Sequence, residues 1–272
     1  MPTVRPVARI VRALETSDGA GVRLYRGIGT RELLDLDPFL LFDEFRSDRP
    51  DQYIGGFPDH PHRGFETVTY MLAGRMRHRD SKGNSGVLGP GSVQWMTAGR
   101  GVVHSEMPEQ EAGLMWGFQL WVNLPARDKL IVPRYQEFPA QAIPTAGRVK
   151  VIAGRYGDAI GPVATPAVDA LYLDVTLSPQ EHFTTPVPGG HNALAYPFEA
   201  SVEIGGQTVR RGSLAVLGAG DAVAVHAGAE AARVLLIAGR RLGEPIARRG
   251  PFVMNTQQEL IQAFEDYAAG KF

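Results

Sequence analysis

The stretch "FPDHPHRGFETVTYML", residues 57–72, places two histidines one residue apart at the start of an apolar run. His60 and His62 are two of only seven histidines in the chain, and a single proline separates them. In an extended strand, residues i and i+2 project to the same side of the sheet. The two imidazoles are therefore predicted to point together into whatever the sheet encloses.

A second pair with the same spacing follows in "GRGVVHSEMP", residues 99–108, where His104 and Glu106 stand after a glycine turn. Neighbouring strands lie about 4.8 Å apart and an i,i+2 step is about 6.6 Å. Two adjacent strands would therefore bring four side chains onto one ion, at about 2.1 Å per ligand. The sequence predicts a metal centre of His60, His62, His104 and Glu106. The alternative is a buried polar network in which every ring nitrogen has a hydrogen-bond partner.

Most of the remaining chain consists of short segments with period-two alternation, separated by turns that contain glycine. The chain has 32 glycines and 20 prolines, which implies many turns between short elements. Predicted strands cover residues 66–72, 75–80, 92–98 and 115–124 in the first half, and 170–177, 200–206, 213–225 and 232–239 in the second. The pattern predicts an all-β protein, either a sandwich or a small barrel.

Two segments resemble each other. "GVLGPGSVQWMT" (86–97) and "AVLGAGDAVAVH" (215–226) both show an apolar pair, a Gly-X-Gly turn and a further strand. This similarity suggests two copies of one β unit. We place the join in the Pro- and Ala-rich segment 138–148, which gives a metal-binding domain at 1–138 and a second domain at 139–272.

The C-terminal segment, "NTQQELIQAFEDYAAGKF", differs from the rest because it has a helical pattern. Thr256 is the predicted N-cap, and Glu259 completes a capping box. The helix is predicted to end at Gly270. Its apolar face consists of Leu260, Ile261, Phe264 and Tyr267. That face needs a docking surface, so we expect a packed arm.

Composition and charge exclude several functional classes. The net charge of −1 gives no basic field for nucleic acid, and the chain has no cysteine for disulfides or thiolate metal sites. Arg5, Arg9 and Arg12 interrupt the N-terminal segment, which therefore lacks the apolar core of a signal peptide. No stretch reaches about 18 apolar residues. We expect a cytoplasmic protein without direct contacts to nucleic acid or membrane.

The histidine segments resemble the motifs of the cupin superfamily, and the chain is most similar to the pirins. The first cupin motif, a glycine, His-X-His, a glutamate and a glycine, is filled by Gly55 or Gly56, His60, His62, Glu66 and Gly74. The second motif appears as residues 99–104, with glycine in place of its usual proline. The pirin-like stretches are "DPFLLFDEF" (37–45), residues 60–84, residues 86–108 and "GPFVMNTQQELIQAFEDY" (250–267). This resemblance covers nearly the whole chain and implies two cupin β-barrels in tandem with a short C-terminal helix.

The pirin resemblance implies that His60, His62, His104 and Glu106 hold iron(II). Three imidazoles and a carboxylate also suit Mn, Co, Ni, Cu or Zn. Glu66 is not a ligand in pirins, and we expect it to accept a hydrogen bond from a ligand histidine or from nearby backbone. His78, between two arginines, is expected to be exposed and not a ligand.

The second half shows no second His-X-His. Its histidines, His182, His191 and His226, are scattered, although His182 and Thr184 are candidates for the remains of a site. We therefore expect a second cupin without metal.

Seven aromatic and Met residues flank the predicted ligand strands: Phe57, Phe65, Trp95, Met96, Met107, Trp116 and Phe118. Up to half of them are expected to line a pocket beside the metal, which would admit a flat hydrophobic ligand. The pirin resemblance implies a dioxygenase that opens flavonols such as quercetin with O2. Glu106 would take the proton of the 3-hydroxyl, which the ion acidifies.

The resemblance also leaves a non-enzymatic alternative. In it the ion is a redox switch on a surface that binds a transcription regulator or a metabolic enzyme. A cupin isomerase or sugar-binding module is a third interpretation, which the aromatic neighbours disfavour. We expect a monomer, because two cupins in one chain supply the pairing that single cupins obtain by dimerising.

Overall fold

The computed structural model describes residues 2–165 and 167–272. The strands of the first part are β1 (Val7–Arg12), β2 (Leu14–Asp18), β3 (Val22–Ile28), β4 (Phe39–Ser47), β5 (Phe57–His62), β6 (Phe65–Ala73), β7 (Met76–Asp80), β8 (Ser85–Leu88), β9 (Val93–Thr97), β10 (Val102–Pro108), β11 (Met115–Asn123) and β12 (Arg134–Phe138). Those that follow are β13 (Thr145–Ala146), β14 (Val149–Ala153), β15 (Arg155–Tyr156), β16 (Ala159–Ile160), β17 (Leu171–Leu177), β18 (His182–Pro186), β19 (His191–Glu199), β20 (Val202–Ile204), β21 (Gln207–Val209), β22 (Ser213–Leu217), β23 (Ala222–Ala227), β24 (Ala232–Arg240), β25 (Ala247–Arg249) and β26 (Phe252–Met254). Helix α1 spans Gln257–Ala268, and single 3-10 turns lie at Pro50–Gln52, Ala126–Asp128 and Ala140–Ala142.

The chain forms two compact units, and each includes a terminal segment from the opposite end of the chain. The first barrel comprises residues 15–26, 39–141 and 242–272, and the second comprises 1–14, 27–38 and 142–241. The predicted division at residue 138 did not foresee this exchange. Its cause is strand pairing and packing, since β1 pairs with β22 and α1 packs on β25 and β26.

The first barrel consists of a seven-stranded and a four-stranded antiparallel sheet. The order of the large sheet is β12-β9-β6-β11-β4-β3-β2, and the order of the small sheet is β5-β10-β7-β8. Its buried apolar residues include Leu24, Phe45, Met71, Met76 and Met115. The predicted all-β barrel is therefore present in this half of the chain. His60 and His62 lie on β5 and His104 and Glu106 lie on β10, both in the small sheet.

The second barrel repeats this arrangement. Its large sheet has the order β1-β22-β19-β24-β17-β14-β13 and its small sheet the order β18-β23-β20-β21. Two copies of one β unit are therefore present, but the proposed alignment of 86–97 with 215–226 is wrong. β9 and β22 hold the same place in their sheets, as do β10 and β23, whereas the proposed alignment sets β9 on β23.

Helix α1 begins as its sequence predicted. Thr256 Oγ1 accepts from the backbone N–H of Glu259, and the Glu259 carboxylate accepts from the N–H of Thr256. The buried face is narrower than predicted, because Leu260 and Ala263 are buried whereas Ile261 is 59% exposed. Phe264 and Tyr267 lie at its margin, where both rings contact Phe252.

A buried lysine joins three segments of the first barrel. The Nζ of Lys129 donates to Gly64 O at 2.8 Å, to Asn123 Oδ1 at 2.6 Å and to Val253 O at 2.9 Å. Only 2% of this residue is exposed. Its three donors therefore satisfy three buried acceptors that water does not reach.

Replacing Lys129 by Met is expected to lower the free energy of unfolding of the first barrel by roughly 3 kcal/mol, because three buried acceptors lose their donor. Trp95, Trp116 and Trp121 are the three tryptophans of the chain and all lie in this barrel, so tryptophan fluorescence in a urea titration reports its unfolding. The exposed Lys82 supplies the matched control, and Lys82→Met should change stability by less than about 0.5 kcal/mol. Equal effects of the two substitutions would contradict the role of Lys129.

Candidate metal centre

Three histidines converge on the small sheet of the first barrel. β5 and β10 pair antiparallel, with His104 directly opposite His60 and with Val102 opposite His62. The ring centroids lie 4.4 Å apart for His60 and His104, 4.7 Å for His60 and His62, and 5.0 Å for His62 and His104. Their ligand atoms all lie within 4.8 Å of one another. Small rotations of these side chains would bring all three to about 2.1 Å from one ion.

The protonation and hydrogen bonding of the buried rings fit a metal. Burial, reinforced by the neighbouring imidazoles, lowers the pKa of His62 and of His104 well below the ordinary value, so both are neutral at pH 7. Nδ1 of His62 and both ring nitrogens of His104 are buried and find no hydrogen-bond partner among the residues that the structure describes. Such atoms are costly unless something satisfies them, and a neutral imidazole is the form that binds a metal. The unpaired nitrogens disfavour the alternative of a closed polar network.

A backbone carbonyl fixes the orientation of the His60 ring. Nδ1 of His60 lies 2.8 Å from Pro58 O, which leaves Nε2 free. A carbonyl on one ring nitrogen sets the tautomer and directs the lone pair of the other nitrogen at the ion.

The fourth predicted ligand, Glu106, lies near this cluster but is not part of it. It is buried, and it lines the same cavity as His60 and His62. Its Oε1 accepts from Thr69 Oγ1 at 2.8 Å. The carboxylate is thus held by the large sheet, and its role as a ligand stays a prediction.

Glu66 has a partner that neither sequence-based expectation named. Its Oε1 accepts from Thr97 Oγ1 at 2.6 Å, and burial raises the pKa of this carboxyl. The hydroxyl is a neighbouring side chain, so Glu66 bonds neither to backbone nor to a ligand histidine through this contact. Because Glu66 stands opposite Thr97 across β6 and β9, this contact holds two central strands together.

The prediction that His78 is exposed is wrong. Only 3% of the residue is exposed, its Nε2 lies 2.6 Å from Glu137 Oε2, and its ring stacks on Tyr135. Met76, two residues earlier on β7, is also buried, so strand alternation places both side chains inward. Arg77 and Arg79, on either side of His78, face outward. The prediction of an exposed His78 was based on these two charged neighbours.

The cavity beside the histidines has a volume of about 390 Å³. Its aromatic lining is Phe45, Phe57 and Trp121. The ring centroids of Trp121 and His62 lie 5.2 Å apart, edge to face. Of the seven neighbours expected from the sequence, only Phe57 is among the lining residues, because most of the others are buried in the sheets. The cavity therefore has aromatic walls, but largely through residues other than those expected, and polar and charged side chains share its lining.

Arg63 links the two histidine strands to the C-terminal helix. Its Nε donates to Arg100 O at 2.7 Å, in the turn that leads to β10, and its Nη1 pairs with Asp266 Oδ2 at 2.8 Å. Its guanidinium also lies 4.4 Å from the centre of the Phe272 ring. Sequence reasoning missed this residue, since its partners lie 37 and 203 positions away.

Among its described residues, the second barrel has no comparable ligand set. By strand pairing, the positions of His60, His62, His104 and Glu106 correspond to Phe183, Thr185, Val225 and Ala227, all of which are buried. His182 and Thr184 instead face outward, so the suggestion that they are the remains of a site is wrong. His182 stacks on His226 at 4.0 Å on the exposed side.

Comparisons with known proteins agree with this architecture. A family model described as Pirin matches residues 21–122, and one described as the Pirin C-terminal cupin domain matches residues 172–272. The chain belongs to the pirin family. It is 55% identical to a pirin-like protein of Caulobacter vibrioides, with 99% of each chain covered. The family and the tandem cupin fold predicted from the sequence are thereby confirmed.

Two further pirin relatives carry names that refer to catalysis. A Pseudomonas aeruginosa protein is 47% identical, with 99% of both chains covered, and its name assigns it provisionally as a quercetin 2,3-dioxygenase. The crystal structure of a quercetin 2,3-dioxygenase from Acinetobacter baumannii matches with a TM-score of 0.92 at 34% identity. That match covers 99% of this chain and 98% of the other.

No helix in the described part of the chain is long and apolar enough to cross a membrane.

We expect His104→Ala to abolish metal retention, since it removes the most deeply buried member of the cluster. His78→Gln is the matched control, because His78 is also buried on the small sheet but lies outside the cluster. Each variant is loaded with Ni2+ or Fe2+, desalted and assayed for metal by elemental analysis. About one ion per chain is expected for wild type and His78→Gln. Full loading of His104→Ala would overturn the assignment.

Proposed function

We propose that this pirin is a metal-dependent dioxygenase that opens the ring of flavonols such as quercetin with O2. The observation that carries the proposal is a cluster of three imidazoles at the wall of a cavity with aromatic sides. Similarity to the Acinetobacter and Pseudomonas proteins supports the reaction class. Iron(II) is our first choice of metal, and Mn, Co, Ni, Cu and Zn suit the same donors.

The three histidines would hold the ion, with Glu106 as the fourth ligand. When bound, the ion supplies Lewis acidity toward the flavonol 3-hydroxyl and redox chemistry toward O2. Neutral imidazoles leave its charge largely uncompensated, because Glu106 contributes a single negative charge. The histidine end of the cavity therefore favours the deprotonated, anionic flavonol over the neutral one.

Glu106 is the proposed base, and Thr69 is the residue that positions it. The Thr69 hydroxyl lies 2.8 Å from Glu106 Oε1 and 2.7 Å from Gln119 Oε1. The hydroxyl has one proton, which it donates to the carboxylate; turning the Gln119 amide lets its NH2 donate to Thr69 in return. These hydrogen bonds hold one oxygen of Glu106 in place. The other oxygen would ligate the ion and, on loosening from it, take the 3-hydroxyl proton.

The walls of the cavity orient the substrate and limit the access of water. Trp121 and Phe57 present apolar rings beside the histidines, and the Arg248 guanidinium lies 4.9 Å from the Trp121 ring centre. A planar flavonol fits between such walls by stacking. Exclusion of water also protects the electron-rich deprotonated flavonol from side reactions.

The non-enzymatic alternative, a redox switch that binds a transcription regulator or a metabolic enzyme, stays a prediction. The monomeric state and the cytoplasmic location also stay predictions.

The direct test of the dioxygenase is an anaerobic incubation of the iron(II)-loaded protein with quercetin, followed by admission of O2. We expect loss of the flavonol absorbance together with release of carbon monoxide, at a rate proportional to protein concentration. His104→Ala protein treated with the same iron controls for free metal. An unchanged spectrum, beside an active reference enzyme, would sink the proposal.

Glu106→Gln is expected to keep much of the metal but to lower kcat by about 100-fold or more, because an amide does not accept the substrate proton. Glu109→Gln is the matched control, since Glu109 is near the same strand but pairs with Arg75 at the surface. Steady-state rates, normalised to bound metal, measure the difference. A fully active Glu106→Gln enzyme would show that the base is another group.

A further inference from the structure

A row of polar side chains begins at Thr69, the partner of Glu106, and crosses the large sheet from strand to strand. Gln119 on β11 stands directly opposite Thr69 on β6 and opposite Asp43 on β4. Asp43 in turn binds Arg26 on β3. Each of these four residues lines the same cavity as His60 and His62. The dioxygenase mechanism uses the row as far as Gln119 and gives no role to the residues beyond it.

Those remaining residues form a carboxylate–guanidinium cluster, which we define as Asp18, Arg26 and Asp43. Arg26 donates to both oxygens of Asp43, at 2.8 and 2.7 Å, and to Asp18 Oδ2 at 2.8 Å. The backbone N–H of Gly19 donates to Asp18 Oδ1 at 2.8 Å. Every carboxylate oxygen thus accepts one hydrogen bond and keeps a further lone pair.

The cluster is a built site at the cavity wall. Only 3% of Asp43 is exposed, and burial raises the pKa of this carboxyl to about 6 against the opposing effect of Arg26, so it is ionised at neutral pH. Buried charged groups of this kind seldom lie at a cavity wall unless a ligand uses them. What the cluster offers the cavity is hydrogen-bond acceptors.

The chemistry of the surroundings selects the kind of group that binds there. A cationic ligand would meet the guanidinium groups of Arg26 and Arg248, and an anionic one would meet two carboxylates. A neutral hydroxyl meets neither repulsion and donates its proton to an acceptor. The guanidinium groups of Arg26 and Arg248 only donate, so a hydroxyl beside them donates its proton to the carboxylate of Asp18 or Asp43.

We propose that the Asp18–Arg26–Asp43 cluster is a specificity subsite that binds phenolic hydroxyls of the substrate through the two carboxylates. This rests on the proposed function for the other end of the ligand, whose chelating oxygens lie at the histidines. A cavity of about 390 Å³ is within the range that holds a drug-sized ligand. Polyhydroxylated flavonols are therefore the preferred class, and flavonols with only the chelating oxygens are poor ligands.

The expected selectivity follows from the cost of unpaired buried acceptors. A site built to bind a hydroxyl rejects the analogue that lacks it, since the remaining lone pair of the carboxylate is then desolvated without a donor. Hydrogen bonds to charged groups are strong enough to give a preference of about tenfold or more. Removing one carboxylate charge should reduce that preference.

The test compares quercetin with 3-hydroxyflavone, which keeps the chelating oxygens and lacks the other hydroxyls. Calorimetry under anaerobic conditions on the nickel-loaded full chain gives both affinities, and kcat/KM on the iron-loaded chain gives the same ratio for turnover. Wild type should prefer quercetin at least about tenfold, and Asp43→Asn should lower this ratio severalfold. Metal content is measured for every sample.

Asp18→Asn gives a second test that leaves the buried Asp43 charge in place. Because the Asp18 side chain is 53% exposed, this substitution disturbs the fold less. It should also lower the ratio, whereas the surface control Asp51→Asn should keep the wild-type value. Equal binding and turnover of the two flavonols by wild type, or a ratio that neither variant changes, overturns the subsite alone. If neither flavonol binds the metal-loaded protein, the proposed function fails as well.

Discussion

The antiparallel pairing of β5 with β10 is the constraint on which the rest of the metal centre depends. It sets His104 opposite His60 and, by strand alternation, directs His62 to the same side. Burial then keeps the rings of His62 and His104 neutral, and leaves three of their nitrogens without a partner. An ion takes one nitrogen from each ring without needing charged donors, so the position and the protonation state of the imidazoles follow from one register.

That register is stabilised by a part of the chain far away in sequence. Pro251 O accepts from the backbone N–H of Arg63, Val253 O accepts from Lys129, and Asp266 pairs with Arg63. Arg63 directly follows His62, and Lys129 also binds Gly64 O. These contacts therefore join the end of β5 to the C-terminal segment. Docking of α1 on β25 and β26 therefore has a consequence for the metal centre, because the segment that anchors the helix also binds Arg63, the residue after His62.

Sequence periodicity predicted the elements and the inward histidines, because a period of two and a capping box are local signals. It failed at His78, where the arginines on either side outweighed the alternation with buried Met76 that would have placed the ring inward. It also could not identify Asp43 or Arg63, since neighbouring residues in the chain do not show which long-range partner a charged group finds. Polar residues at inward positions of apolar strands, such as Thr69, were the signal available for the cavity wall.

The two barrels separate the effect of the fold from that of the side chains. Their sheets have the same strand order, yet the ligand positions of the first become Phe183, Thr185, Val225 and Ala227 in the second. Three of these four belong to the apolar core, whose packing needs no ion. A cupin barrel thus folds with either interior, and function depends on a few polar residues that its sheets hold facing a cavity. In the first barrel those residues continue across the large sheet from Thr69 to Asp43, so the same register that aligns the strands also fixes how far apart a ligand's two polar ends must be.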